Sequence, residues 1–195
     1  MICLIFLLSY ALYWGLSFSK NKIISPIALE FADLLPLLYL LTIESKSLLC
    51  LFFLIGVTFA NIIMRYRNVF GGCAFFVIYG ITSQLMLKSF SINFLYLVSC
   101  MLIVGAIGLL IVWLALEKQL VEFEIPMMIA VAAYLVLLTV LTYTSLITKN
   151  FGFLCLTVAD LSLAVYLFGL CKKNLLLYVS NVIYFLGILL IPMSL

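Results

Sequence analysis

The sequence predicts an all-α, polytopic transmembrane bundle of about eight helices joined by very short loops. Three observations carry that prediction. The 195 residues are 68% hydrophobic and 9% charged, with a mean hydropathy of +1.41, a composition that makes the bilayer the solvent. The apolar runs are far longer than the strands of a membrane barrel, and helices satisfy their backbone polar groups within one segment. The connectors span only a few residues, which leaves no room for an extramembrane domain, so residues 1–195 read as a single transmembrane domain.

Taken in order, the apolar segments are 2–18, 27–43, 48–64, 69–87, 94–116, 126–147, 151–170 and 175–195. The first lacks a basic n-region and an A-x-A cleavage site, so it reads as a retained helix. Pro36 falls inside the second and is expected to kink it. Pro126 suits the first turn of the sixth, where a missing N–H is harmless. Ala11 with Gly15, and Gly72 with Gly80, are small-residue pairs expected to let helices approach. Connectors as short as 44–47, 65–68, 148–150 and 171–174 predict antiparallel neighbours.

Charge reads as topology. Loops one, three, five and seven carry Lys20, Lys22, Arg65, Arg67, Lys118, Lys172 and Lys173, whereas loops two, four and six carry Lys46, Lys88 and Lys149. The positive-inside rule then puts the odd loops in the cytoplasm and both termini outside. The expected location is a bacterial cytoplasmic (inner) membrane. A net charge of +3 spread over short loops leaves no nucleic-acid footprint. Histidine is absent, which removes Ser-His-Asp and Cys-His catalysis and His-based metal ligation. The six cysteines show no C-x-x-C spacing and behave as small hydrophobes, so no disulfide framework or metal site is expected. No cofactor motif is present, and no cofactor is expected.

The seventh segment, FGFLCLTVADLSLAVYLFGL, has Asp160 at its centre. A carboxylate in mid-membrane costs about 2.5–3.5 kcal/mol on insertion scales, so Asp160 should face a protein interior or a wet cavity. It is either a site residue or an interhelical hydrogen-bonding group. Counted from the basic residues of the odd loops, Asp33, Tyr79, Asp160 and Tyr184 lie 11 or 12 positions deep. At 1.5 Å per residue that is roughly 16–18 Å, close to the midplane. Glu30 and Asn181 lie about one turn nearer the same face. Four helices thus deliver polar groups to one layer, which predicts a cavity opening toward the odd loops. Two carboxyls in such a layer, Asp33 and Asp160, would share a proton if adjacent. A protonated carboxyl is the general acid that vinyl-ether or acetal hydrolysis needs, and a proton-coupled carrier would use the same residues.

The order of motifs in the C-terminal third resembles the YhhN-like lysoplasmalogenase family. The pattern G-x-x-x-x-x-x-A/S-D-x-x-x-A appears as GFLCLTVADLSLA at 152–164, followed by YVSNVIYFLGILLIPMSL, and preceded by IPMMIAVAAYLVLLTVL with Pro126 and Tyr134 in matching places. Length, eight helices and minimal loops agree as well. The family's Gly-Asp pair stands here as Ala60-Asn61 within LIGVTFANIIM. Its fourth-helix histidine stands as Tyr79 within GGCAFFVIYG, and its second-helix Lys-Pro as Asp33-Leu34. The glutamine of its last helix aligns with Gly187.

The resemblance implies a membrane hydrolase that cleaves the vinyl-ether bond of lysoplasmalogens to a fatty aldehyde and a glycerophospho-base. It implies a catalytic pair of aspartates, of which Asp160 is present and the other position is Asn61; one alternative is a relocated second acid, with Asp33 or Glu30 of the second segment replacing the carboxyl missing at Asn61. Asn61, Tyr79, Tyr134, Asn181 and Tyr184 would bind the lipid. The alternatives are an inactive relative that binds a single-chain lipid in the same cavity and, behind it, a small transporter.

Overall fold

The computed structural model describes residues 2–19, 21, 23–43, 47–66, 68–120 and 124–194. Lys20, Lys22, Lys46 and Arg67, which entered the charge count, lie outside the described residues. Eight α-helices follow one another: α1 (Ile2–Ser17), α2 (Ile24–Leu40), α3 (Leu48–Tyr66), α4 (Asn68–Leu87), α5 (Phe94–Glu117), α6 (Ile125–Thr148), α7 (Phe151–Leu167) and α8 (Asn174–Leu190). A 3₁₀ turn, Pro192–Ser194, comes last. Spans within α3, α4, α5 and α6 are long and apolar enough to cross a membrane, and α1, α7 and α8 are shorter apolar helices. Large apolar side chains such as Leu12, Phe59, Leu102 and Ile129 face outward. The all-α bundle is that of an integral membrane protein.

Helix boundaries follow local chemistry. α2 starts three residues before the expected position because the Asn21 side chain accepts from the N–H groups of Ile23 (2.9 Å) and Ile24 (3.3 Å). It runs through Pro36 as one helix. Pro126 occupies the first turn of α6. α7 stops at Leu167, short of the expected 170, because Gly169 turns the chain at φ +74° while Leu170 N–H bonds back to Val165 O at 3.1 Å. α8 stops at Leu190, ahead of Pro192, which cannot donate to a continuing ladder.

The helices α1, α2, α3, α4, α6, α7 and α8 form a closed ring in that order, α8 returning to α1. α5 departs from the expectation that each short loop joins packed neighbours. It packs outside the ring against α6, with a light contact to α7, through the stripe Cys100, Val104, Gly108, Ile111 and Ala115. The linker 88–93 is long enough to allow this, and Asn93 fixes it. Its side chain accepts from Tyr96 N–H at 3.3 Å, and its own N–H donates to Tyr143 Oη on α6 at 2.7 Å.

The two ends of the ring differ. Near the termini the helices are cross-tied: Tyr39 Oη donates to Leu189 O (3.2 Å), and Asn150 Nδ2 donates to Ile191 O (3.2 Å). Cys3 and Met193 touch through their sulfurs at 3.8 Å, so the first and last turns lie side by side. The buried residues of α6 begin at Leu137, and those of α7 end at Ala159. Those of α3 run from Cys50 to Ala60. Toward loops one, three, five and seven the same helices keep accessible surface on most faces. The bundle is packed at the terminal end and splayed at the other.

A backbone-to-backbone crossing of two helices sits in the packed half. A Cβ on Gly152 would lie 2.8 Å from Gly187 O, and one on Gly187 would lie 2.8 Å from Gly152 O, so only glycine lets α7 and α8 meet backbone to backbone there. Of the expected small-residue contacts, the Ala11–Gly15 face receives Tyr178 of α8: its Oη donates to Ala11 O at 3.1 Å, and a Cβ on Gly15 would lie 3.9 Å from its ring. A Cβ on Gly72 or Gly80 would meet no neighbouring helix within 4 Å. Glycine spacing alone does not say which face of a helix is packed.

Candidate functional site

Where the packed half ends, five helices of the ring contribute polar groups to one cluster. Asp160 projects from α7, and Tyr134 Oη of α6 donates to its Oδ2 at 2.8 Å. Tyr184 Oη of α8 donates to Asn61 Oδ1 of α3 at 3.0 Å. Tyr79 of α4 is within electrostatic reach of Asp160, Tyr134 and Tyr184. Five of the seven site residues expected from the sequence, Asn61, Tyr79, Tyr134, Asp160 and Tyr184, therefore converge.

Local packing explains their placement. Phe75 and Tyr79 lie one turn apart on the inner face of α4, with ring centroids 5.5 Å apart; Phe75 also meets Tyr184 edge-on at 6.0 Å. On α7, Thr157 lies one turn toward the packed end from Asp160, and Thr142 Oγ1 donates to it at 3.2 Å. Ser180 Oγ ties α8 to Ala159 O at 2.7 Å, immediately before the acid. These contacts hold Asp160 at the boundary between the sealed half and the splayed half.

Asp160, Tyr134, Tyr184 and Asn61 remain half-buried although they sit among several helices. Mid-bundle side chains with residual accessible surface border open space, so the cluster forms the floor of the splayed half. Among the described residues no hydrogen bond reaches Asp160 Oδ1, and the buried Tyr79 hydroxyl has no partner of good geometry. The floor thus offers one free carboxyl oxygen to a ligand, with the buried Tyr79 phenol lying beneath it beside Tyr184. Thr82 and Ser83, a turn deeper on α4, are also buried without partners.

The other two expected residues find their partners elsewhere than at the acid. Asp33 forms an ion pair with Arg65 of α3, and its electrostatic neighbours are Arg65 and Glu30. Asn181 turns its amide to Leu177 O of its own helix at 2.8 Å. Helix rotation points Asp33 at the α2–α3 seam, where Arg65 meets it. Depth counting fixes height along a helix and leaves azimuth open.

Two neighbours of the floor escaped the sequence reading. Tyr10 of α1 stacks on Phe185 with centroids 4.0 Å apart and lies within electrostatic reach of Tyr79 and Tyr184. Arg65, read only as a topology marker, stands four residues beyond Asn61 on the same face of α3. That spacing was the available signal. A separate open groove of about 470 Å³ runs between α5 and α7, lined by residues such as Leu110, Leu114 and Val165, and no member of the polar cluster lines it.

All six cysteines are free thiols. Among the described residues no three His, Cys, Asp or Glu side chains assemble as a metal site. Comparison with protein-family models, with curated proteins and with solved structures returns no match.

Proposed function

We propose that this chain is a membrane hydrolase of vinyl-ether lysolipids that works with a single carboxyl, Asp160. The observation that carries the proposal is the acid's setting: one oxygen held by Tyr134, the other free, at the floor of a splayed half of the bundle. Vinyl-ether hydrolysis needs a proton on the carbon β to oxygen, then water on the oxocarbenium carbon. Asp160 donates the proton from Oδ1. The resulting carboxylate takes a proton from water as the water oxygen bonds to the cationic carbon. The hemiacetal then breaks its C–O bond: Asp160 returns the proton to the departing alcohol oxygen and takes up the proton of the hemiacetal hydroxyl, whose oxygen becomes the carbonyl of the released aldehyde. One water is consumed, and Asp160 ends as it began. Tyr79 and Tyr184 supply a phenol-rich wall beside the charge that develops. The resemblance of segments 125–141, 152–164 and 178–195 to lysoplasmalogenases supports the same chemistry.

A second reading is favoured by the Asp33–Arg65 ion pair, which withholds from Asp160 the partner carboxyl the sequence suggested. On that reading the chain binds a single-chain lipid at the same floor without cleaving it. Purified protein in detergent, given a lysoplasmalogen, separates the two. Release of fatty aldehyde supports the hydrolase, and saturable binding without aldehyde supports the binding protein. The proposed setting is the bacterial inner membrane, with the odd loops in the cytoplasm and both termini outside.

A further inference from the structure

We infer that Arg65, with Asp33 and Glu30 beside it, forms a head-group subsite for the phosphate of a zwitterionic single-chain lipid, one helical turn above the floor. The inference rests on the lipid reading of the Asp160 site, but it concerns binding and is independent of cleavage.

The guanidinium of Arg65 donates through Nη2 to Asp33 Oδ2, its only hydrogen bond among the described residues, so most of its five donors are uncommitted. The pair is not sealed: the Arg65 side chain is 21% exposed and that of Asp33 12%. One buried side chain, Tyr10, lies within electrostatic reach of Asp33 and also of Tyr79 and Tyr184. A purely structural clamp between α2 and α3 would not need these charges. Replacing a buried pair with packed apolar side chains is commonly neutral or stabilising by about 1–4 kcal/mol.

Geometry and charge then select the ligand. Arg65 follows Asn61 by four residues, so its Cα stands about 6 Å toward the open end on the same face. In a glycerophospholipid, five bonds separate the phosphorus from the ether oxygen at the first glycerol carbon, a span of roughly 6 Å at ordinary bond lengths. A phosphate on Arg65 therefore sets the ether beside Asn61, Tyr184 and Asp160. Guanidinium is the side chain best matched to phosphate oxygens. The subsite carries one cation and two carboxylates, since Glu30 adjoins Asp33. A phosphate that brings its own ammonium matches that set, and a bare anion does not.

The test uses non-cleavable 1-O-alkyl lipids, so that it reads binding alone. Dissociation constants are measured by ligand-induced thermal shift of the detergent-purified protein. Three lipids are compared: alkyl-glycerophosphocholine, alkyl-glycerophosphoglycerol and alkylglycerol without phosphate. The expected order is phosphocholine tightest, with Arg65→Gln weakening it about tenfold or more, equivalent to 1.4 kcal/mol, and leaving alkylglycerol unchanged. Arg65→Lys should recover part of the loss. Because Arg65→Gln strands the Asp33 carboxylate, Arg65→Gln/Asp33→Asn serves as the charge-neutral control for folding. Equal loss for phosphate-bearing and phosphate-free lipids, or no loss for either, overturns the subsite. Equal binding of the anionic and zwitterionic lipids overturns the zwitterion preference. If wild-type protein releases no aldehyde from a lysoplasmalogen but keeps an Arg65-dependent preference, the hydrolase falls and the subsite stands.

Discussion

Tyr134 reaches across the α6–α7 contact and gives its phenolic proton to Asp160 Oδ2 at 2.8 Å. The bond orients the carboxyl and leaves Oδ1 directed at whatever occupies the floor. It also separates two roles that Asp160 could play, holding helices together and doing chemistry, because each predicts a different response to substitution.

Asp160→Asn should fold with little change in melting temperature and abolish aldehyde release. The amide keeps the shape and can still accept from Tyr134, but it supplies no catalytic proton. Asp160→Leu removes the bond altogether and should destabilise by roughly 1–2 kcal/mol, the range for interhelical contacts in model peptides. Thermal melts and an aldehyde assay on both variants decide the matter. Wild-type turnover in Asp160→Asn would remove the acid from the mechanism.

Tyr134→Phe should lower turnover by about tenfold, or 1.4 kcal/mol of barrier, and lower stability by only about 0.6 kcal/mol, the average for such bonds in a membrane bundle. Steady-state kinetics alongside denaturation give both numbers. A stability loss with unchanged turnover would make Tyr134 a packing residue.

Tyr184 and Asn61 should be energetically coupled. A double-mutant cycle with Tyr184→Phe and Asn61→Leu is expected to give an interaction term of about 0.5–1.5 kcal/mol. Additivity within about 0.3 kcal/mol would show that the 3.0 Å bond carries no net stability.

Glycine substitutions should split by location. Gly187→Ala places a methyl 2.8 Å from Gly152 O and 3.0 Å from Leu156 Cδ2, and should destabilise by about 1–3 kcal/mol through overpacking. Gly72→Ala and Gly80→Ala meet nothing within 4 Å and should stabilise by up to about 1 kcal/mol from helix propensity. Melting temperatures of the three variants suffice.

Cysteines engineered into loops three and seven should react with membrane-impermeant reagents only from the cytoplasmic side. Labelling from outside would invert the proposed orientation.

The number of helices and most of their limits were legible because apolar length is written in the sequence directly. The errors fell where one residue overrides the apolar run: Asn21 at the start of α2, Gly169 after α7, Pro192 after α8. The membership of the Asp160 cluster was also largely legible, since few polar residues occur at that depth. The fate of Asp33 was not, because its distance from Asp160 depends on helix rotation and on Arg65, whose side chain competes for the same carboxyl. The position of α5 outside the ring was hidden for a related reason. Loop length limits which helices can be neighbours, and the Asn93–Tyr143 bond then chooses among them.

The glycine crossing of α7 and α8 gives those helices a fixed fulcrum. Asp160 lies eight residues along α7 from Gly152, an arm of about 12 Å, and Tyr184 lies on the other blade three residues from Gly187. The angle set at the glycines fixes how α7 and α8 diverge toward the acid, and Ser180 Oγ, bonded to Ala159 O at 2.7 Å, holds that divergence one position before Asp160. Spacing and chemistry are therefore set by different residues: side-chain volume around two glycines would alter how far apart the polar groups of α7 and α8 stand without any change to the carboxyl itself.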